Sequence, residues 1–264
     1  KNIRNTRYEC MNEKLTLTIL GGVGKDGVPE PIRSVDVSAG EIVGIVGPTG
    51  SGKSTLIDDI EQLSQGDTAT ERSVLINGVK PDALTRVDPR KKLVAQLSQN
   101  MHFLADMNVE EFLQMHARSR GKDESLAEKV IELANTLTGE PIFPENPLTV
   151  LSGGQSRSLM TADIAVISDS PVVLIDEIEN AGIKKQEAIE LLAGEGKIVV
   201  VVTHDPVLAL MSSRRIVIRN GAMVDIITTS EDEKDVCNKI ADVDNWLMSL
   251  RETIRMGDIV EDIA

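Results

Sequence analysis

Apolar and polar residues alternate over 14–20 (KLTLTIL) and again over 32–37, which predicts two half-buried strands joined by the Gly- and Pro-rich loop 21–31. Residues 41–46 form an almost unbroken apolar run, the pattern of a strand buried on both faces. A helix is predicted over 53–63, and strands over 74–76 and 93–97. From 107 to 137 the period turns helical. Val109, Phe112, Leu113 and His116 share one face, and Leu126, Val130, Ile131 and Leu133 another. Pro141, Pro144 and Pro147 impose an irregular link, and the helix predicted over 153–167 stops before Ser170-Pro171. Beyond it the pattern predicts strand 172–176, helix 184–193, strand 197–202 and a short helix from Pro206. Strands 215–219 and 223–228 flank an Asn220-Gly221 turn. Strands alternating with helices predict an α/β fold with a mostly parallel sheet. Val236, Ile240, Val243, Leu247, Leu250 and Ile254, spaced 4-3-4-3-4, predict one amphipathic helix over about 235–255, docked on the domain or on a partner.

A chain of 264 residues with 41% hydrophobic content can bury a sizeable core. Only 2% of it is aromatic, so that core rests on Val, Ile, Leu, Met and Ala. The net charge of −14 argues against a broad nucleic-acid face or a basic patch for anionic lipid. Cys10 and Cys237 match no metal-ligand spacing and read as thiols of a reducing compartment. No apolar run approaches the roughly 18–20 residues that span a bilayer, and no leader pattern is present. The expectation is a soluble chain without direct membrane insertion, whose membrane role, if it has one, runs through a partner.

The chemistry concentrates in three places. Gly47-Pro48-Thr49-Gly50-Ser51-Gly52-Lys53-Ser54-Thr55 fits G-x-x-x-x-G-K-[ST] between a strand and a helix. Its glycines let successive backbone N–H groups converge on phosphates, and the helix N-terminus adds a favourable dipole. Lys53 offers an ammonium to the β- and γ-oxygens, and Ser54 a hydroxyl to Mg²⁺, so the expected ligand is ATP with Mg²⁺. Strand 172–176 ends in Asp176-Glu177. Beside a phosphate loop, Asp176 suits Mg²⁺ held through water, and Glu177 suits orienting and deprotonating the attacking water. Leu151-Ser152-Gly153-Gly154-Gln155 opens a helix and offers a hydroxyl, unhindered N–H groups and a dipole to an anion. A simple helix cap would use the same residues.

A phosphate loop, then LSGGQ, then an apolar strand ending in Asp-Glu resembles the ATP-binding-cassette (ABC) ATPases, over about residues 14–228. The resemblance implies a P-loop NTPase core with antiparallel strands beside the parallel ones, assigned to 1–98 and 152–230. It implies a helical lobe over 99–151, and leaves 231–264 as an acidic C-terminal helix. It also implies ATP hydrolysis after head-to-tail pairing with a second ABC ATPase domain, the same or different. Ser152, Gly153, Gly154 and Gln155 of one chain then cap the γ-phosphate held by the other. Gln99 matches the glutamine that reaches Mg²⁺ and the attacking water. Gln96 is its rival, although strand alternation and the spacing to Asn108-Val109 favour Gln99. His204, in Val-Val-Thr-His-Asp, matches the histidine that contacts the γ-phosphate, whereas His102 and His116 are expected on the surface or a helix face.

Two departures stand out. After Asp-Glu the family continues Pro-Thr-Ser-Ala-Leu-Asp, but here the chain runs Ile178-Glu-Asn-Ala-Gly-Ile183-Lys184, so Ile183 or Lys184 takes the place of that Asp. No aromatic residue lies between Tyr8 and Phe103 to stack on adenine, which shifts that task to Tyr8 or to aliphatic side chains. The stretch from Gln99 to Leu151 has the length of the lobe in transporter-type members. The first implied role is therefore the ATPase subunit of a transporter, cytoplasmic and held at the membrane by a permease. The altered loop, the acidity and the C-terminal helix fit a second role, a cytosolic ATPase that assembles or remodels a soluble client.

Overall fold

The computed structural model describes residues 15–88, 91–98, 101–176 and 183–260. The alternating segments become β1 (Thr16–Leu20) and β2 (Ser34–Ser38), which with β4 (Ser73–Ile76) form an antiparallel sheet in the order β2-β1-β4. Its register sets Leu17 opposite Val37 and Ile76, and Ile19 opposite Val35 and Val74, so the apolar half of each strand meets on one face.

The second sheet has the order β5-β6-β7-β3-β8-β9. It comprises β3 (Ile42–Val46), β5 (Val94–Ser98), β6 (Val172–Asp176), β7 (Ile198–Val202), β8 (Arg214–Arg219) and β9 (Ala222–Thr228). All its pairings are parallel except β8 with β9, which turn back through Asn220-Gly221. The unbroken apolar runs are explained by burial on both faces. Val172 and Leu174 pack toward the antiparallel sheet and α1 (Lys53–Glu61). Val173 and Ile175 pack toward α6 (Lys185–Gly194) and α7 (Pro206–Met211). Parallel pairing also gathers the strands' carboxyl ends: Asp176 is opposite Ser98 on one side and Val202 on the other, and Val202 is opposite Ile45. Open α/β sheets bind ligands along such an edge.

α3 (Val109–Ser119) and α4 (Leu126–Leu137) pack with α5 (Gly153–Val166) around Val109, Leu113, Val130, Ala134 and Leu159. α5 serves both sides, because Leu159 and Ala162 belong to this helical cluster while Ile164 and Ala165 pack on the sheet. His102 is exposed, and His116 on α3 holds Asp163 of α5 through Nδ1 at 2.8 Å.

Two elements depart from the pattern. α2 (Ala83–Val87) buries none of its residues and starts at Asp82, whose carboxylate accepts from Thr85 N at 2.6 Å. With no buried face it leaves no apolar period in the sequence. The C-terminal helix α8 spans Glu231–Met256, longer than the stretch predicted, with Ser230 and Glu233 forming a capping box. Its docked face is also rotated from the predicted stripe. Glu233 meets Arg215 at 2.6 Å, Cys237 is buried under Val207, and Asp244 lies 3.8 Å from Lys185. Val243 and Ile254 of the stripe stay 55% and 63% exposed. A small thiol and two carboxylates facing cations fit this contact better than a row of branched side chains.

Candidate nucleotide site

The phosphate loop leaves β3 at Val46 and enters α1 at Lys53. Gly47 has φ 156°, and a Cβ there would lie 2.4 Å from the Ile218 carbonyl oxygen, so this turn has no room for a side chain. The N-cap of α1 is Gly52, which has no side chain to cap the helix and so leaves its first N–H groups open to an anion. Lys53, only 7% exposed, folds back to donate to the carbonyls of Gly47 at 2.9 Å and Pro48 at 3.3 Å. Ser54 and Thr55 follow on the first turn. With Thr49, Gly50 and Gly52 they line a cavity of about 280 Å³ that also takes in Val202 and His204 at the end of β7.

His204 is exposed at that edge. The next residue, Asp205, caps α7 by accepting from Val207 N at 2.8 Å and Leu208 N at 3.3 Å, and it also receives Lys185 Nζ at 2.6 Å. Asp176 ends β6, one strand removed from β3. Gln99 and Glu177 lie outside the described residues. Ser98 and Asp176, which precede them in the chain, are register partners at the same edge.

Ser152 is exposed at the start of α5 and forms a reciprocal cap. Its Oγ accepts from Gln155 N at 3.3 Å, and Gln155 Oε1 accepts from Ser152 N at 2.9 Å. Gln155 Nε2 also donates to Pro141 O at 2.9 Å. The Ser152 hydroxyl hydrogen is not consumed by the cap and can still be donated to an anion. None of residues 151–155 lines the cavity at the phosphate loop.

Three further residues belong to the surroundings of the loop and were not singled out by the sequence. Lys25, from the loop between β1 and β2, lines the cavity and donates to Gly50 O at 2.7 Å. Gly221 N donates to Ser51 O at 2.6 Å, which places the β8–β9 turn directly against the phosphate loop. Arg72, fully buried, donates to Gly221 O at 2.6 Å, to Glu30 at 2.6 Å and to Asp59 of α1 at 3.0 Å. Burial alone would lower the guanidinium pKa, but hydrogen bonds and proximity to Glu30 and Asp59 outweigh it and raise the value. A lysine among glycines and the Asn-Gly turn were both visible in the sequence, but their meeting at residue 51 was not. Ile183, which with Lys184 is a candidate for the position of the missing Asp, is 3% exposed and packs with Leu137 and Ala188, and Lys184 N donates to Leu137 O at 2.9 Å.

ATP with Mg²⁺ fits this donor set. Uncapped amides and an ammonium face the cavity, and Ser54 and Asp176 are hard oxygen donors whose sphere phosphate and water oxygens would complete.

Comparison with protein-family models matches residues 32–180 to the ABC transporter family. The chain belongs to that family. It is 66% identical over 251 residues to an uncharacterized ABC transporter ATP-binding protein of Methanocaldococcus jannaschii, covering 94% of this chain and 96% of that protein. It is 32% identical over 213 residues to the sn-glycerol-3-phosphate import ATP-binding protein UgpC of Escherichia coli strain K12, covering 78% of this chain and 57% of that longer protein. Two solved structures share the fold. One is an ATP-binding subunit of an ABC transporter, with TM-score 0.61, 19% identity, and 83% of this chain and 92% of that one covered. The other is cbiO1 from Clostridium perfringens, part of the ABC transporter complex cbiONQ, with TM-score 0.63, 21% identity, and 91% and 100% covered. ABC transporter ATP-binding proteins are ATPases, and this ABC chain is an enzyme of that class.

Proposed function

We propose that this ABC chain binds Mg-ATP at residues 47–55, pairs head-to-tail with a second ABC domain and hydrolyses the nucleotide between them, as the ATPase subunit of a transporter. The observation that supports the pairing is that the helix start at 152–155 lies outside the cavity at the phosphate loop. The cavity at α1 contains no residue of 151–155, and the start of α5 is held by its own capping box. A second ABC domain is then needed to bring a Ser-Gly-Gly such as residues 152–154 to the γ-phosphate.

In this assignment Lys53 and the α1 amides hold the β- and γ-phosphates. Ser54, Gln99 and Asp176 would hold Mg²⁺, which offsets phosphate charge when bound. Glu177 takes a proton from water as its oxygen attacks the γ-phosphorus, the bond to the β-phosphate oxygen breaks, and ADP leaves with the electron pair. His204 donates to the γ-phosphate from the end of β7. The core at 1–98 and 152–230 would carry this chemistry, and the start of α5, which packs on the lobe at 99–151, would present the capping residues to the partner. Among the described residues no helix is long and apolar enough to cross a membrane. A permease partner, in keeping with the transporter names of the relatives, would hold the chain at the cytoplasmic face.

The test combines calorimetry with an ATPase assay. Lys53→Ala should abolish tight Mg-ATP binding, because it removes the ammonium from the phosphate nest. Glu177→Gln should keep binding while turnover falls by roughly 10²–10⁴-fold. Unchanged affinity in the first variant, or near-wild-type turnover in the second, would overturn the corresponding assignment.

A further inference from the structure

We propose that Lys25 is a second ammonium for the triphosphate, delivered to the ATP site from the loop between β1 and β2. The inference rests on the assignment of residues 47–55 as that site, and goes beyond it by naming a phosphate contact outside the motif.

Two segments distant in sequence fix Lys25 where it is. Its backbone N–H donates to Asn220 O at 2.9 Å, and Asn220 Nδ2 donates to Asp26 Oδ2 at 3.0 Å, which fastens the loop to the β8–β9 turn. The turn is fastened in its own right to the phosphate loop by Gly221 N on Ser51 O. Gly221 has φ 80°, and a Cβ on it would come within 2.8 Å of Lys25 Cγ, so the lysine stem lies across the glycine and its ammonium reaches Gly50 O. From there it lines the same cavity as Lys53, Ser54 and His204.

Charge supports a ligand role over a purely structural one. Among the described residues no carboxylate lines the cavity. Asp26, the adjacent acid, is engaged elsewhere, by Val28 N at 3.0 Å and by Asn220. Among the described residues Lys25 has no carboxylate partner, and it rests instead on a neutral carbonyl. Lys53 rests on neutral carbonyls in the same way. A phosphate oxygen is the stronger acceptor, since charge-assisted hydrogen bonds are roughly twice as strong as neutral ones. Two ammoniums at one rim suit a ligand with several phosphates.

The test is calorimetric titration of ATP and ADP into wild type, Lys25→Met, Lys25→Arg and Lys53→Ala at two ionic strengths. Methionine keeps the stem over Gly221 and removes only the charge. Lys25→Met should weaken ATP binding by about tenfold and ADP binding by less. The deficit should narrow at high ionic strength, since salt screens an exposed charge. Lys25→Arg should stay within about threefold of wild type, since the charge is kept. Wild-type affinity in Lys25→Met would overturn the proposal. So would an equal, salt-independent loss in both Lys25 variants with a lowered Tm, which would make Lys25 a tether of the loop. Absence of ATP binding by wild type, or full affinity in Lys53→Ala, would instead overturn the underlying site.

Discussion

Arg72 occupies the core with no exposed surface and has two carboxylates for company. Glu30 accepts from it while receiving Met223 N at 2.6 Å and Gly22 N at 2.9 Å, and Asp59 receives the hydroxyls of Thr68 and Thr70 at 2.8 Å each. Removing the cation strands two buried negative charges. Arg72→Met should therefore destabilise the protein by about 3–5 kcal/mol, the usual effect of breaking a buried pair from one side. Urea unfolding measures this, and a change below about 1 kcal/mol would show that the carboxylates re-solvate or take up protons. This cluster was not legible in the sequence. Its hydrogen bonds join positions 13, 42 and 149 residues apart, and such contacts leave no local period. The phosphate loop was legible because the conformations that cradle phosphate depend on glycines within the loop itself. Lys25 falls between these cases, visible as a lysine among glycines but without a reason to meet Gly50.

At the level of elements, β3, β6 and β7 were the easiest to read, because burial on both faces demands an unbroken apolar run. α2 was missed because it buries nothing, and the docked face of α8 was misplaced because its anchors are polar. Glu233 is one of these anchors. The Ser230 amide, then the Arg215 guanidinium, hold its carboxyl below the usual carboxylate range. Because the folded-state pKa is depressed, the stabilisation is complete at neutral pH and is lost as pH falls through that lowered value. Acidification below about pH 4 should therefore release the first turns of α8 before the sheet unfolds. Hydrogen exchange corrected for intrinsic rates should show the loss of protection there first. Glu233→Gln should show weakened protection of these turns already at neutral pH; wild-type protection in that variant would mean that Cys237 and Asp244 hold the helix unaided.

At the level of the whole molecule, the proposed sharing of ATP between two domains would make assembly depend on nucleotide. A ligand that binds only the paired state draws monomers into dimers by mass action. Glu177→Gln, which should bind ATP without clearing it, is expected to be dimeric with Mg-ATP and monomeric without nucleotide. Adding Ser152→Arg should abolish that dimer while sparing ATP affinity, because Ser152 is exposed outside the phosphate cavity. Light scattering on both proteins decides the matter. A Glu177→Gln protein that stays monomeric at saturating ATP would point to pairing with a different ABC domain, or to a pairing disabled by the missing loop Asp. Such a result would also bear on Ile183 and Lys184, one of which stands where the family has an Asp: Ile183 is buried against Leu137.

The buried ring of Glu30, Asp59, Arg72 and Gly221 also has a consequence for biosynthesis. A ribosome delivers the phosphate loop together with Glu30, Asp59 and Arg72, and Gly221 only 149 residues after Arg72. Until Gly221 emerges, the Ser51 carbonyl lacks the donor that meets it in the finished fold, and Glu30 lacks Met223. A growing chain thus carries the whole phosphate motif well before it can close the cradle around it. Closure of the cradle waits for residues 221–223, and a chain released before them would carry the whole motif without the turn that meets it.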